Sequence, residues 1–429
     1  MQMPDGTPSG ISFFRKLCYT EENTLSEVPM NRFFCAMLAA ALFLCGCGAS
    51  GPSPAPPAVS APAPAAPAVS VPPAESSPPP QEALVIDTEK DLVEQILSDM
   101  TLPEKVGQLF FVRCPEEDAV SHVSTYHLGG YILFGRDAKG KTANELIQTI
   151  HAYEEAAARD TGVPLLIGVD EEGGSVVRVS SNPNIRSSKF SSPQTLYRSG
   201  GMEAIVDDTH EKNVLLKALG FNVNLAPVAD VSTNSADFIY HRTFGQNAAE
   251  TAEYTAAVTA RMAADGMGSV LKHFPGYGSN VDTHTGIAVD RRPLETFLEQ
   301  DFLPFAGGLA AGGDTAAVLV SHNIVTAMDD TLPASLSPAV HDVLRRELQF
   351  NGVVMTDDLA MDAVAAYAEG GSSAVMAIAA GNDIVLTTDY PTQIPKVIAA
   401  VQSGTISEEQ INKACLRVLR WKESLGLIG

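Results

Sequence analysis

Four ionisable side chains lie close together in the stretch 268–286, which reads GSVLKHFPGYGSNVDTHTG. Lys272 and His273 follow the apolar run 269–271, which is typical of a short buried strand. Asp282 and His284 come next, two positions apart, so that the carboxylate can orient the imidazole and stabilise its protonated form. An imidazole held in this way suits proton transfer near neutral pH. The stretch therefore predicts catalytic residues at a strand end and on the loop after it.

Each of these residues also has a structural interpretation. Lys272 could be a solvated lysine, His273 a buried histidine with a satisfied hydrogen bond, and Asp282 a turn former. Pro275 and the glycines beside it break the strand at this point. Because so many ionisable groups are a poor way to build a plain loop, we favour the functional interpretation of the stretch.

Alternating strands and amphipathic helices must position these residues. Apolar runs predict strands at 108–112, 130–134, 164–170, 222–230, 269–271, 316–322, 353–357 and 383–388. Helical patterns separate them, the clearest at 142–158, 204–219, 248–264, 294–310 and 408–425. This alternation indicates parallel β/α units, and their number favours an α/β fold of the closed (β/α)8 barrel type. A doubly wound open sheet is the alternative, although no GxGxxG follows the first strand.

Polar residues recur where the predicted strands end. They are Asp170, Asp230, Lys272, His273, His322, Asn323, Asp357 and Asp358. In a barrel, these ends meet at one mouth, where active sites lie. Asp357 leaves its apolar strand towards that mouth, as a nucleophile or a buried acceptor. Because side chains alternate along a strand, Asp358 is expected to point elsewhere.

Two further motifs follow strands. Asp170 opens the run DEEGG, in which the glycines allow close approach of the backbone to a ligand, and Arg178 comes shortly after it. Arg242 lies in HRTFG after the fourth strand, and its forked donors suit hydroxyls or a carboxylate. An acidic helix cap and a structural ion pair are the alternative interpretations of the two motifs.

The first 82 residues have a different composition. Residues 1–29 form a polar extension. Met30 precedes a charged start and an apolar run of signal-peptide type, so an alternative is that translation starts at Met30 and the extension is untranslated. That run, residues 30–47, ends in Leu44-Cys45-Gly46-Cys47, which resembles a bacterial lipobox and implies cleavage before Cys47 and its lipidation. An ordinary signal peptide is the alternative. Residues 48–82 are rich in Pro, Ala and Ser and predict an extended tether, and residues 83–429 the barrel. These features predict an extracytoplasmic lipoprotein whose membrane contact is the lipid anchor.

The overall charge narrows the possible partners. A formal net charge of −23 argues against nucleic acid and against docking of the domain itself on an anionic membrane. Cys114 and Cys415 are far apart in sequence and have no metal-type spacing. We therefore expect no nucleic-acid partner, no metal and no cofactor.

With these motifs in hand, the chain resembles the barrel domain of glycoside hydrolase family 3, in its β-N-acetylglucosaminidase branch. The resemblance rests on MTLPEKVGQ, DEEGG, HRTFG, KHFPGYG with DTH, and MTDDLAM, in that order. It implies a retaining mechanism with Asp357 as nucleophile and His284 as acid/base, with Asp282 as its partner. It also implies that five positions hold the hydroxyls of an N-acetylglucosamine-containing carbohydrate: Asp170, Arg178, Arg242, Lys272 and His273.

Other functions stay open from the sequence. Some family members take their acid/base from a second domain, and the lack of one after the eighth unit favours the branch with a histidine loop. Within the family, a β-glucosidase or a phosphorylase is the alternative. Outside it, a metal-dependent hydrolase could use His273, His284, His322 and Asp357, although ligand-dense motifs are missing. A non-catalytic wall-binding lipoprotein is the last alternative.

Overall fold

The computed structural model describes residues 91–280, 286–361, 364, 367 and 371–429. They belong to a compact unit that spans Leu84–Gly429. The predicted extension, signal segment and tether, with Cys47, lie outside the described residues, as do Asp282 and His284. Within the described ranges, no helix combines the length and the apolar character needed to cross a bilayer.

A curled parallel sheet forms the centre of the protein. Its strands, among the described residues, are β1 (Phe111–Arg113), β2 (Gly130–Leu133), β3 (Leu166–Val169), β4 (Val223–Asn224), β5 (Gly268–Phe274), β7 (Ala316–Val320) and β9 (Val354–Thr356), paired in that order. A separate pair consists of β6 (Val289–Asp290) and β8 (Ile324–Val325). Because every connection in the main sheet is parallel, the carboxyl ends of its strands lie at one edge.

Alternation along each strand divides the core into an inner and an outer layer. On β7, Ala317 and Leu319 pack in the interior cluster with Val270, whereas Val318 and Val320 pack outside the sheet with aromatic side chains from the helices. Both layers are fully or almost fully buried. Strands buried on both faces are expected for a parallel sheet covered by helices, which explains their continuous apolar runs.

Three strand predictions need correction. β5 does not end at residue 271: it continues to Phe274, so Lys272 and His273 are strand residues. β4 is only two residues long, because Pro227 cannot donate to the ladder; after it the chain stays beside β5 through a single parallel bridge between Val228 and Lys272. The run 383–388 is not a regular strand. Within it, Ile384 makes a single parallel bridge to Met355 of β9, and Val385 makes one to Phe110, directly before β1. These two bridges connect the two edges of the sheet.

Helices surround the sheet. Among the described residues they are α1 (Leu92–Asp99), α2 (Leu102–Gln108), α3 (Ala119–Tyr126), α4 (Gly135–Ala138), α5 (Ala143–Asp160), α6 (Pro193–Leu219), α7 (Ala248–Ala264), α8 (Leu294–Thr296), α9 (Phe302–Gly312), α10 (Pro338–Glu347), α11 (Ser373–Ala380), α12 (Tyr390–Gln402) and α13 (Glu408–Ser424). A π-helical turn, Phe297–Asp301, joins α8 to α9. Local sequence sets several of the starts: Thr101 and Thr142 form capping boxes with Glu104 and Glu145 at α2 and α5.

The last helix covers the amino-terminal end of the sheet. Val418, Trp421 and Leu425 of this part of the chain belong to the interior apolar cluster. The indole Nε1 of Trp421 donates to the carbonyl oxygen of Thr315, directly before β7 begins, at 3.0 Å. Because apolar side chains fill this end of the curled sheet, we expect a polar site at the opposite end, where the carboxyl ends of the strands lie.

Candidate functional site

A cavity of about 490 Å³ lies at the carboxyl ends of the strands. Six of the residues predicted from the sequence line it: Asp170, Arg178, Arg242, Lys272, His273 and Asp357. They come from segments between positions 170 and 357, so only the curling of the sheet brings them together. A larger cavity, of about 910 Å³, lies at the opposite end beside α13. Its described lining contains none of the predicted residues, and we therefore place the functional site in the smaller cavity.

A buried ion-pair network organises one side of this cavity. The Nζ of Lys272 lies 2.7 Å from Oδ1 of Asp170 and 2.6 Å from Oε1 of Glu172. Arg242 donates to both oxygens of Glu172, from Nε at 3.0 Å and from Nη2 at 2.7 Å. The guanidinium of Arg178 approaches Asp170 at 3.8 Å. Two acids thus hold three cations in fixed positions at the mouth of the barrel.

The charges of this network are maintained near neutral pH. Burial by itself raises the pKa of Glu172, but the cations of Arg242 and Lys272 outweigh it and hold that pKa well below its usual range. For Lys272, burial lowers the pKa, whereas Asp170 and Glu172 raise it, and the net pKa lies above the ordinary value. Both side chains are therefore charged, and Glu172 is not a source of protons for chemistry.

His273 is oriented by a second carboxylate. Its Nδ1 lies 2.7 Å from Oδ2 of Asp230, and Nη2 of Arg242 lies 3.1 Å from its Nε2. An arginine can only donate, so Nε2 accepts and the proton of this imidazole is on Nδ1, where it is donated to Asp230. The same Asp230 also accepts from the backbone N–H of Tyr277 at 2.7 Å. Asp230 thereby fixes both the histidine ring and the turn that follows β5.

Asp357 follows β9 and has one carboxylate oxygen engaged. Its Oδ1 accepts the backbone N–H of Asp358 at 2.8 Å. Burial raises the pKa of Asp357, but the neighbouring His322, the N–H of Asp358 and the charge of Lys272 outweigh it, so that the pKa is below its usual value. The side chain is partly accessible from the cavity. An ionised carboxylate that faces a cavity in this way can act as a nucleophile.

Asp358 departs from its expected orientation. We expected it to point away from the site, yet it lines the same cavity as Asp357. The chain has left the strand after Thr356, so the alternation of side chains no longer applies at these positions. Its carboxylate is occupied locally, because Oδ1 accepts the N–H of Ala360 at 3.0 Å.

The loop after β3 is shaped by a buried acid and two glycines. Glu171 accepts the backbone N–H groups of Arg178 and Val179 through Oε2, each at 2.8 Å, which turns the loop back on itself. Gly173 has a φ of 100°, and a Cβ there would lie 2.2 Å from the carbonyl oxygen of Ser191. A side chain at position 173 is therefore excluded, and this close packing places Arg178 beside Asp170.

The loop predicted to carry Asp282 and His284 is described only at its ends. On one side, Nδ2 of Asn280 donates to Oδ2 of Asp290 and to the carbonyl oxygen of Tyr277, both at 2.8 Å. On the other side, Arg292 pairs with Asp290 and Asp301 at 2.8 Å. These contacts anchor the two ends of the loop close to the turn after β5.

Several side chains in or behind the cavity were not predicted from the sequence. Glu172 was overlooked within DEEGG, although its position in an acidic run at a strand end was a usable signal. Asp230 was noted at a strand end but not paired with His273. Arg113, which ends β1, and Phe134, which follows β2, also line the cavity. The rule that strand ends meet at the mouth would have included both.

The other predicted positions do not form a metal site among the described residues. His322 is buried, with Nδ1 at 2.7 Å from the hydroxyl of Ser335 and Nε2 at 3.0 Å from the carbonyl oxygen of Asp358. Over the described part of the chain, no three His, Cys, Asp or Glu side chains are grouped so that they could hold a metal ion. The set His273, His322 and Asp357 is therefore not a ligand cluster there.

Removing Lys272 tests the energetic role of the network. Lys272 is 2% exposed, and Lys272→Met leaves two acids with less compensating charge in a buried site. We expect the free energy of unfolding to fall by about 3 kcal/mol, measured by urea denaturation. Lys413→Met is the matched control: Lys413 also forms a 2.6 Å ion pair, with Glu409, but on the surface, and we expect no measurable change. Equal stability of the two variants would contradict a structural role of the buried pairs.

Comparisons with known proteins agree with this geometry. The sequence model of "Glycosyl hydrolase family 3 N terminal domain" matches residues 101–421. A β-hexosaminidase of Stenotrophomonas maltophilia is 33% identical over 322 residues, which cover 73% of this chain and 89% of that protein. The β-hexosaminidase LpqI of Mycobacterium tuberculosis is 30% identical, over 74% of this chain and 82% of the relative.

Solved structures show the same relationship. A family 3 β-N-acetylglucosaminidase from Paenibacillus superposes with a TM-score of 0.71 at 31% identity, over 77% of this chain and 64% of that one. A family 3 glycosyl hydrolase from Mycobacterium smegmatis superposes with a TM-score of 0.67 at 29% identity, over 78% and 98%. The fold is thus the TIM-like β/α barrel of these enzymes. From the family match, the shared fold and the polar cavity at the strand ends, we conclude that this chain is a glycoside hydrolase that belongs to family 3.

Proposed function

We propose that the protein is a retaining exo-β-N-acetylglucosaminidase. It would release terminal β-linked N-acetylglucosamine from peptidoglycan-derived or related amino sugars through a glycosyl-enzyme intermediate. The observation that carries the proposal is the placement of the ionised Asp357 in one cavity with the ion-pair network of Lys272, Asp170, Glu172 and Arg242. The relatives that are named β-hexosaminidases and β-N-acetylglucosaminidases support the choice of sugar.

Asp357 would be the nucleophile. One carboxylate oxygen accepts the N–H of Asp358, so the side chain is oriented while the rest of the carboxylate is available. It attacks the anomeric carbon, and the bond between that carbon and the leaving oxygen breaks as the oxygen takes a proton. Water then attacks the same carbon, the ester to Asp357 breaks, and the water proton returns to the acid/base. Two inversions give net retention.

His284, with Asp282, would be the acid/base. The acidic residues of the network are unsuited to this role, because Glu172 is held ionised by Arg242 and Lys272, and Asp170 is paired with Lys272. We therefore assign the proton transfer to a group outside the network. An imidazole supported by a carboxylate meets this requirement near neutral pH.

The network and its neighbours would hold the sugar. Lys272, Arg242 and Arg178 offer donors, and Asp170 offers an acceptor, to the hydroxyls. His273 donates its Nδ1–H to Asp230, so it meets the substrate in one fixed orientation. Because these groups are positioned before the substrate arrives, little reorganisation accompanies binding.

The remaining sequence predictions are part of this proposal. We propose that residues 383–388 form the eighth unit of a (β/α)8 barrel, supported by the bridges of Ile384 and Val385. We also propose that segment 30–47 directs export, that Cys47 carries a lipid, and that residues 48–82 tether the catalytic domain 83–429 to an extracytoplasmic membrane surface. Incorporation of a radioactive fatty acid that is lost in Cys47→Ser would test the anchor.

Sugar preference tests the function directly. The purified protein is assayed with 4-nitrophenyl β-N-acetylglucosaminide and with the β-glucoside. We expect kcat/KM to favour the N-acetyl sugar by roughly 100-fold or more, because a site built around an acetamido group leaves polar atoms unpaired when the group is missing. Equal rates would indicate a β-glucosidase, and turnover that depends on inorganic phosphate would indicate a phosphorylase. Failure to hydrolyse the N-acetyl sugar would refute the proposal.

A further inference from the structure

One cation of the cavity has no partner among the described residues. Arg113 ends β1 and lines the cavity, partly buried. Its Nε is buried and makes no hydrogen bond, and its side chain forms no ion pair with the described part of the chain. The free-energy cost of holding a guanidinium group in a partly buried site without an acid is not offset by the described residues. An anionic ligand bound there would offset this cost.

The other cations of the cavity differ from Arg113 in this respect. Lys272 is held between Asp170 and Glu172, and Arg242 donates twice to Glu172. Their charges are already compensated, so they are suited to neutral hydroxyl and acetamido groups. Among the described cations that line the cavity, Arg113 alone makes no ion pair with a described acid.

A phenyl ring keeps Arg113 in place and links it to a second arginine. The guanidinium carbon of Arg113 lies 4.5 Å from the centroid of the Phe134 ring, and that of Arg178 lies 5.5 Å from the same centroid. Stacking on an aromatic ring holds a guanidinium while its edge stays free to donate. The Nε of Arg178 is also buried without a hydrogen bond, although this arginine approaches Asp170. Two stacked arginines thus offer unused donors beside one ring.

We propose that Arg113, assisted by Arg178, binds an anionic group of the substrate, a carboxylate or a phosphate. The proposal rests on the function proposed above, because the anion must be attached to the amino sugar that Asp357 attacks. Forked donors match the planar pair of oxygens of a carboxylate and the oxygens of a phosphate. The site lies in the same cavity as Asp357, so an anion there is part of the bound substrate. Arg113 is therefore a specificity residue.

Two matched pairs of substrates locate the anion. The first pair is 4-nitrophenyl β-N-acetylglucosaminide and its 6-phosphate, which differ on the terminal sugar. The second pair is N,N′-diacetylchitobiose and the disaccharide whose second sugar carries a 3-O-lactyl carboxylate. The measured quantity is the ratio of kcat/KM, anionic over neutral, within each pair. Because the departing oxygen is of the same chemical type within a pair, a phenol in the first and a sugar hydroxyl in the second, this ratio reports recognition of the charge.

We expect the wild-type protein to prefer the anionic member of one pair, and Arg113→Gln to reduce that preference roughly 10- to 100-fold. Arg113→Lys should retain part of it, since the charge remains but the fork is lost. The matched control is Arg136→Gln. This arginine follows β2, pairs with Glu116 and does not line the cavity, so its loss should leave the ratio within about twofold.

The outcomes separate this inference from the function itself. If the wild-type protein prefers neither anionic substrate, or if Arg113→Gln slows all four substrates equally, the assignment of Arg113 is wrong while the enzymatic function stands. If the wild-type protein hydrolyses none of the four, the proposed function fails and the inference fails with it. A preference in the first pair places the anion on the terminal sugar, and a preference in the second places it on the leaving group.

Discussion

Asp357→Ala is expected to lower kcat/KM for 4-nitrophenyl β-N-acetylglucosaminide by at least about 10⁴-fold. The covalent route needs this carboxylate, because it forms the bond to the anomeric carbon. Water later hydrolyses that bond. Its pKa is held below the usual value, so it is ionised across the working pH range and no proton has to be removed first. The side chain is partly accessible, and the fold should survive its truncation, as judged by an unchanged circular dichroism spectrum.

Azide provides a chemical test of the role of Asp357. In Asp357→Ala, a small anion can enter the space of the missing carboxylate and attack from the same face. The product should be the α-glycosyl azide from an activated β-glycoside, because a single displacement inverts the anomeric centre. Asp358→Asn is the matched control, since Oδ1 of the amide can still accept the N–H of Ala360, and we expect a loss of less than about tenfold. Full activity of Asp357→Ala would exclude Asp357 as the nucleophile.

The second large effect is expected for His284→Ala, and it should depend on the leaving group. General acid catalysis contributes about 10²- to 10⁴-fold when the departing oxygen needs a proton. We therefore expect a loss in that range for a disaccharide, whose leaving group is an ordinary alcohol. For a 2,4-dinitrophenyl glycoside, the leaving group departs unprotonated, and formation of the intermediate should slow by less than about tenfold. Steady-state and burst kinetics on the two substrates measure the contrast.

Azide also distinguishes the acid/base role of His284 from the nucleophilic role of Asp357. In His284→Ala, azide replaces the water that attacks the intermediate, so the product should be the β-glycosyl azide, the opposite anomer to that expected from Asp357→Ala. Asp282→Asn should give a smaller loss with the same leaving-group trend, because the imidazole is retained but loses its orienting carboxylate. His241→Ala is the control, since His241 is exposed and does not line the cavity. Equal losses on both substrates would rule out His284 as the acid.

Local sequence predicted most of the elements because each is decided by nearby residues. The helix α7 matches its predicted bounds, since an asparagine cap and one amphipathic pattern define it. The strands were found as apolar runs, but their lengths were not. Lys272 and His273 lie within β5, and residues 383–388 make only single bridges, because pairing with neighbouring strands decides where a strand ends.

The sequence by itself identified four of the side chains that reach the cavity from the strand ends: Asp170, Lys272, His273 and Asp357. Only the tertiary structure decided which side chains form ion pairs and hydrogen bonds with one another. Glu172 compensates both Lys272 and Arg242, and Asp230 fixes the tautomer of His273. Arg113 stacks on Phe134 without an acid among the described residues. Such partners are separated by tens of residues and meet through the register and curl of the sheet, which no local pattern encodes.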